Sequence, residues 1–121
     1  MMNDEKDLRV RTKLFARRVI RLYCALPKNE SVTQILGKQM LRSGTSVGAN
    51  YRAACRSKSK ADFINKLSIV EEEADESEYW LELAENLSCA NREELVRLKS
   101  EAGQLVAIMV QSKKTARITG S

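Results

Sequence analysis

Apolar residues recur along the chain at alternating spacings of three and four, and the pattern breaks in three places. Leu8, Thr12, Phe15, Val19, Leu22 and Leu26 form one stripe, which predicts an amphipathic helix over 7–26. Lys13, Arg17 and Arg21 make a row one turn apart on another side. Pro27 closes the segment, because it lacks a backbone donor and disfavours helical backbone before it. A second helix is expected over 31–56, where Ser31-Val-Thr-Gln34 has capping-box spacing. Gly37, Gly44 and Gly48 lie inside it, each costing up to ~1 kcal/mol against alanine. A rival reading breaks this segment near Ser43-Gly44 into two short helices. The third helix, 60–87, follows Ser59-Lys-Ala-Asp62, a capping variant with Asp in the acid position. Its inner stripe is Phe63, Leu67, Val70, Ala74, Ser77, Leu81 and Ala84, widened by Trp80, Leu83 and Leu87. The fourth, 92–112, opens at Asn91 with acids in its first turn and continues through Leu95, Leu98, Ala102, Leu105 and Met109. The basic tail 113–121 is expected to fray. Four helices of comparable length on three short connections predict an all-α, antiparallel up-down-up-down four-helix bundle in a single domain, 1–121.

Charge changes this picture. From Ser31 to Ala61 there are six bases and no acid; from Asp62 to Glu85 there are nine acids and one base, Lys66. Such segregation points to a polyanion or to an acidic face of the same protein as the thing met. At steps of roughly 100° per residue, Lys38, Arg42, Arg52, Arg56 and Lys60 share an arc of roughly 80° on the second helix. Leu36, Met40, Val47, Tyr51 and Ala54 lie opposite. Gly37, Gly44, Gly48 and Cys55 form a third, small stripe that lets another helix approach closely. Gly44-x-x-x-Gly48 has the spacing of a membrane helix-pairing motif, but Arg42 and Asn50 beside it exclude that setting. On the third helix Glu71, Asp75, Glu78, Glu82 and Glu85 cluster on one side.

A chain of 121 residues can bury a core without metal or disulfide staples. One proline, five glycines and few aromatics argue against an all-β fold. Cys24, Cys55 and Cys89 are an odd, widely spaced set with no C-x-x-C, so neither a disulfide framework nor a zinc site is expected. Free thiols suit a reducing cytoplasm. Bases interrupt every apolar run before residue 20, so no signal peptide is expected, and nothing approaches the ~20 apolar residues of a membrane span.

At Leu41-Arg-Ser-Gly-Thr-Ser-Val-Gly-Ala-Asn-Tyr-Arg52 the chain stops being generic. With Ser59-Lys-Ala-Asp-Phe-Ile64, Tyr79-Trp-Leu-Glu-Leu83 and the Leu26-Pro27-Lys28 helix end, it closely resembles the bacterial four-helix bundle proteins encoded by intervening sequences of large-subunit (23S) ribosomal RNA genes. The resemblance covers nearly the whole chain. It implies a bundle that assembles into a ring-like homo-oligomer, a pentamer. Relatives include accessory proteins of diversity-generating retroelements, which bind nucleic acid and a reverse transcriptase. Members often carry an acid two residues before the position of Cys55; this chain has Ala53, which puts any contact of that acid in doubt.

No enzyme, cofactor or metal is expected. Histidine is absent, and Gly44-Thr-Ser-Val-Gly48 lacks the lysine and preceding strand of a phosphate loop. The Glu71–Glu73 run reads as a solvated face, with Glu73 at the apolar edge and Lys66 its expected partner. Ser46 and Asn50, one turn apart, are expected to hydrogen-bond between packed helices. Tyr79-Trp80 is expected in the core or at a subunit interface rather than as a base-stacking platform. Arg42, Arg52, Arg56, Lys58 and Lys60, joined by Arg17 and Arg21, are the candidate RNA- or DNA-binding surface, directed at phosphates. The alternatives are that this row faces the Glu71–Glu85 row of the same or a neighbouring subunit, or that it is simply solvated. A protein-interaction scaffold, whose acidic row docks a basic partner such as a polymerase, is the other functional reading.

Overall fold

The computed structural model describes residues 2–119, with side chains over 7–119. It contains α1 (Met2–Cys24), α2 (Ser31–Cys55), α3 (Lys60–Ala84) and α4 (Arg92–Ile118), with no strand among the described residues. Every neighbouring pair runs antiparallel. Thr12 lies by Gly48, Val19 by Gly44, and Leu26 by Gly37, so numbers rise on α1 as they fall on α2. Ser43 meets Ser77 while Thr33 meets Cys89; Glu85 meets Lys99 while Glu71 meets Lys113; Arg18 meets Glu94 while Arg11 meets Glu101. The order is therefore up-down-up-down.

The apolar stripes meet along the axis. Phe15 and Val19 of α1, Met40 and Val47 of α2, Leu67, Val70 and Leu81 of α3, and Leu95, Leu105 and Met109 of α4 are all fully buried. Each such side chain contributes roughly 1.5–3 kcal/mol of transfer free energy, which anchors helices whose other faces are charged.

The glycine-rich α2 is one unbroken helix from Ser31 to Cys55, without a break at Ser43-Gly44. Packing explains it. A Cβ built on Gly44 would lie 3.0 Å from both methyls of Val19, and one on Gly48 would lie 3.3 Å from the Thr12 carbonyl oxygen. The small stripe therefore receives α1 of the same chain, and burial there offsets the low helix propensity of glycine.

Two expected caps form. Ser59 Oγ accepts from the Asp62 amide at 3.0 Å, and Asn91 Oδ1 accepts from the Glu94 amide at 3.1 Å. The box at Ser31 does not. The N-cap is Glu30, without a side-chain capping bond, and Gln34 reaches back across the first connection instead. Its Nε2 donates to the Pro27 carbonyl at 2.7 Å, while the Tyr23 hydroxyl donates to its Oε1 at 3.3 Å. The turn made by Pro27 leaves an acceptor that competes for the glutamine. α1 and α3 end two or three residues short of expectation, in tighter turns that bond Leu26 to Tyr23 and Leu87 to Ala84. α4 runs on to Ile118, six residues past the expected end. Three contacts hold that extension: Lys113 pairs with Glu71 and donates to Ser68 Oγ at 3.1 Å, and Lys60 Nζ donates to the Arg117 carbonyl at 3.3 Å.

Candidate nucleic-acid interface

The basic face of α2 divides. Arg42 turns toward α3, where its guanidinium pairs with Glu76 and approaches Glu73 at 3.4 Å. Glu76 also accepts from Trp80 Nε1 at 3.0 Å. The expected Glu73–Lys66 pair does not form. Lys66 bonds Asp62, one turn behind it, at 2.7 Å, whereas Glu73 is two turns ahead and is reached from across the seam by Arg42.

The Arg42 hydrogen bond, then that from Trp80, holds the Glu76 carboxyl below its ordinary 4.5. Its folded value is depressed, so the contribution to stability is complete above that ordinary value. It is lost as pH falls through the lower folded value. Trp80 is the sole tryptophan. Its fluorescence is therefore expected to change in an acid titration with a midpoint below 4.5, and Glu76→Gln is expected to remove that step. A midpoint at or above 4.5 counts against the arrangement.

The acid row of α3 faces α4 rather than α2. Lys113 Nζ lies 2.7 Å from Glu71, Lys99 Nζ lies 2.8 Å from Glu85, and Glu78 sits over Gly103. Within the chain, then, the α2 bases do not face the Glu71–Glu85 row; Arg42 alone crosses, to Glu73 and Glu76. The register explains this, because α3 turns that row to its far side. Across the fourth seam Arg11 grips Glu101 at 2.6 and 2.9 Å and Gln104 at 2.8 Å, and Arg18 grips Glu94 at 3.0 and 3.1 Å.

Ser46 and Asn50 do not bridge helices. Ser46 Oγ donates to the Arg42 carbonyl at 2.7 Å and Asn50 Nδ2 to the Ser46 carbonyl at 2.8 Å, both one turn back on α2. The hydroxyl link between α2 and α3 is Ser77 to Ser43, 3.0 Å, with both residues buried. Its signal was the place of Ser77 in the inner stripe of α3. Trp80 packs half-buried against the core, as expected, but Tyr79 is 54% exposed, its ring edge-on to Trp80 at 5.1 Å.

Arg52 and Arg56 do come together, with partners the α2 row alone did not reveal. They line a groove between α1 and α2 with Arg9 and Lys13 of α1. Its volume is ≈ 510 Å³, and among the described residues its remaining lining is Thr12, Ala16, Thr45, Gly48 and Ala49, with no acid. The close approach at Gly48 sets the floor, and the basic stems form the walls. The other candidates lie elsewhere. Arg17 and Arg21 are exposed on α1 outside the groove, Lys58 is exposed in the α2–α3 connection, and Lys60 serves the α4 terminus. Arg9 and Lys13 were legible only through register, since they flank Thr12, the α1 residue that covers Gly48.

Among the described residues no cluster of potential ligands could hold a metal ion, and none of the three cysteines forms a disulfide. No described helix is long and apolar enough to cross a membrane.

Residues 6–111 match the family described as 23S rRNA-intervening sequence protein. A solved structure, a protein with unknown function from the S23 ribosomal protein family of Bacteroides thetaiotaomicron VPI-5482, is 39% identical and superposes with a TM-score of 0.80. The alignment covers 88% of this chain and 98% of that one. No curated protein matches.

Proposed function

The chain belongs to the 23S rRNA-intervening sequence protein family, and we propose that it is a non-enzymatic, homo-oligomeric bundle that binds RNA or other nucleic acid through the α1–α2 groove. The observation that carries this reading is the convergence of Arg9, Lys13, Arg52 and Arg56 on one groove that no acid lines among the described residues. Arginine and lysine so placed bind phosphates, which supplies affinity and fixes position without reading sequence. The absence of histidine, and the engagement of Glu71, Glu85, Glu94 and Glu101 in ion pairs, support a role without catalysis.

Oligomer formation, with five copies in a ring, is part of the proposal. Val10 and Leu14 stand exposed one turn apart on α1, as do Val32 and Ile35 on α2, and exposed apolar patches of this kind are used in assembly. A ring would array several weak grooves and convert them into avidity. Free thiols are consistent with a cytoplasmic setting. The test is titration of RNA with the parent protein and with Arg52→Glu/Arg56→Glu at matched ionic strength. Loss of binding with oligomer size intact is expected; a collapsed oligomer would instead make these residues interface.

The exposed Tyr79, flanked on α3 by the exposed acids Asp75 and Glu82, favours one second reading. That face would dock a basic protein such as a polymerase. A partner retained after nuclease treatment, and lost with Tyr79→Ala, would establish it.

A further inference from the structure

We infer that the α1–α2 groove holds a single strand by its phosphodiester backbone and is indifferent to its bases, an inference that rests on the nucleic-acid reading above. The antiparallel register, with Thr12 against Gly48, brings Arg9 level with Arg52. Lys13 lies to one side of that level and Arg56 to the other, so the four cations extend about 12 Å along the groove at 1.5 Å per residue. Successive phosphates along one backbone lie roughly twice the 3.4 Å stacking rise apart, so that length spans about two to three phosphates.

The lining decides what else is read. Thr12 Oγ1 donates to the Leu8 carbonyl at 2.7 Å and Thr45 Oγ1 to the Leu41 carbonyl at 2.7 Å, so both hydroxyl protons are committed within their own helices. Ala16, Gly48 and Ala49 carry no polar side-chain atom. The side-chain donors of Lys13, Arg52 and Arg56 that line the groove are cations, matched to phosphate. Among the described residues no aromatic ring lines the groove for stacking, and no carboxamide or carboxylate lines it to read a base edge. The bases point outward to solvent. A groove of ≈ 510 Å³ is the size that encloses one small ligand, so a backbone of one strand can sink into it. A duplex is a convex rod whose phosphates would meet only the rim.

The test is fluorescence anisotropy of short dye-labelled oligouridine, oligoadenosine and a mixed-sequence duplex, each spanning one groove, across a range of salt. The two single strands are expected to bind within about threefold of each other, with a log–log salt slope near −2, and the duplex about tenfold more weakly. A duplex bound as tightly as the single strands, or a base preference above about tenfold, overturns the inference while leaving nucleic-acid binding in place. Failure of all three to bind at low salt overturns both.

Discussion

Replacing Gly44 with leucine is expected to lower the stability of the bundle by about 3 kcal/mol, the upper part of the range for overpacking a tight interior. Val19, which is 1% exposed, occupies the space where even a Cβ would sit 3.0 Å from two methyl groups. Leucine carries three further carbons into the same volume. The gain in helix propensity over glycine, below ~1 kcal/mol, does not offset that clash. α1 must then move away from α2 or leave its rotamers. In a chain of this length the loss corresponds to a fall of roughly 10 °C in Tm. Thermal unfolding followed by circular dichroism reads it directly, and a Tm unchanged within a degree or two would show that α1 does not pack on the small stripe.

Reversing the charge of Arg52 and Arg56 together is expected to weaken nucleic-acid binding by about 100-fold or more at low salt, where phosphate neutralisation supplies nearly all of a non-specific affinity. Among the described residues the double change converts a groove lined by four bases and no acid into one with two of each. Both side chains are exposed, and neither makes an ion pair among the described residues. Stability should therefore shift by only about 0.5 kcal/mol per site. Arg17→Glu/Arg21→Glu applies the same change of charge outside the groove and is expected to cost only about threefold. Equal losses from the two pairs would mean that net charge, not the groove, carries binding.

The helices and their order were legible because each inner stripe keeps a helical period over roughly four turns or more, long enough for packing to decide the outcome. The stripe of Gly37, Gly44 and Gly48 announced a helix in close contact; only the structure shows that the helix is α1 of the same chain. Polar detail was less legible. Gln34 matched a capping pattern but found a nearer acceptor at Pro27. Ser46 and Asn50 bond their own helix because short polar side chains reach a carbonyl one turn back before they reach a neighbour.

The site was half legible for a related reason. One helix wheel groups Arg42, Arg52 and Arg56 on a face but does not say which neighbouring helix each residue leans toward. Arg42 leans to α3 and is spent on Glu73 and Glu76, while Arg52 and Arg56 lean to α1, whose register supplies Arg9 and Lys13. Lys58 and Lys60 lie past the C-terminus of α2, in the connection and at the start of α3, so extending the wheel to Lys60 misplaced it.

The most direct measurement is a lysine footprint. Acetylation of each lysine, with and without a saturating single-stranded oligonucleotide, is quantified by mass spectrometry. Among the described residues Lys13 is the one lysine in the lining of the groove, while Lys28, Lys38 and Lys114 are exposed outside it. Strong protection of Lys13 with the other three unchanged is the predicted result. Unchanged labelling of Lys13, with protection at Lys38 or Lys58 instead, would contradict the groove as the place where nucleic acid binds.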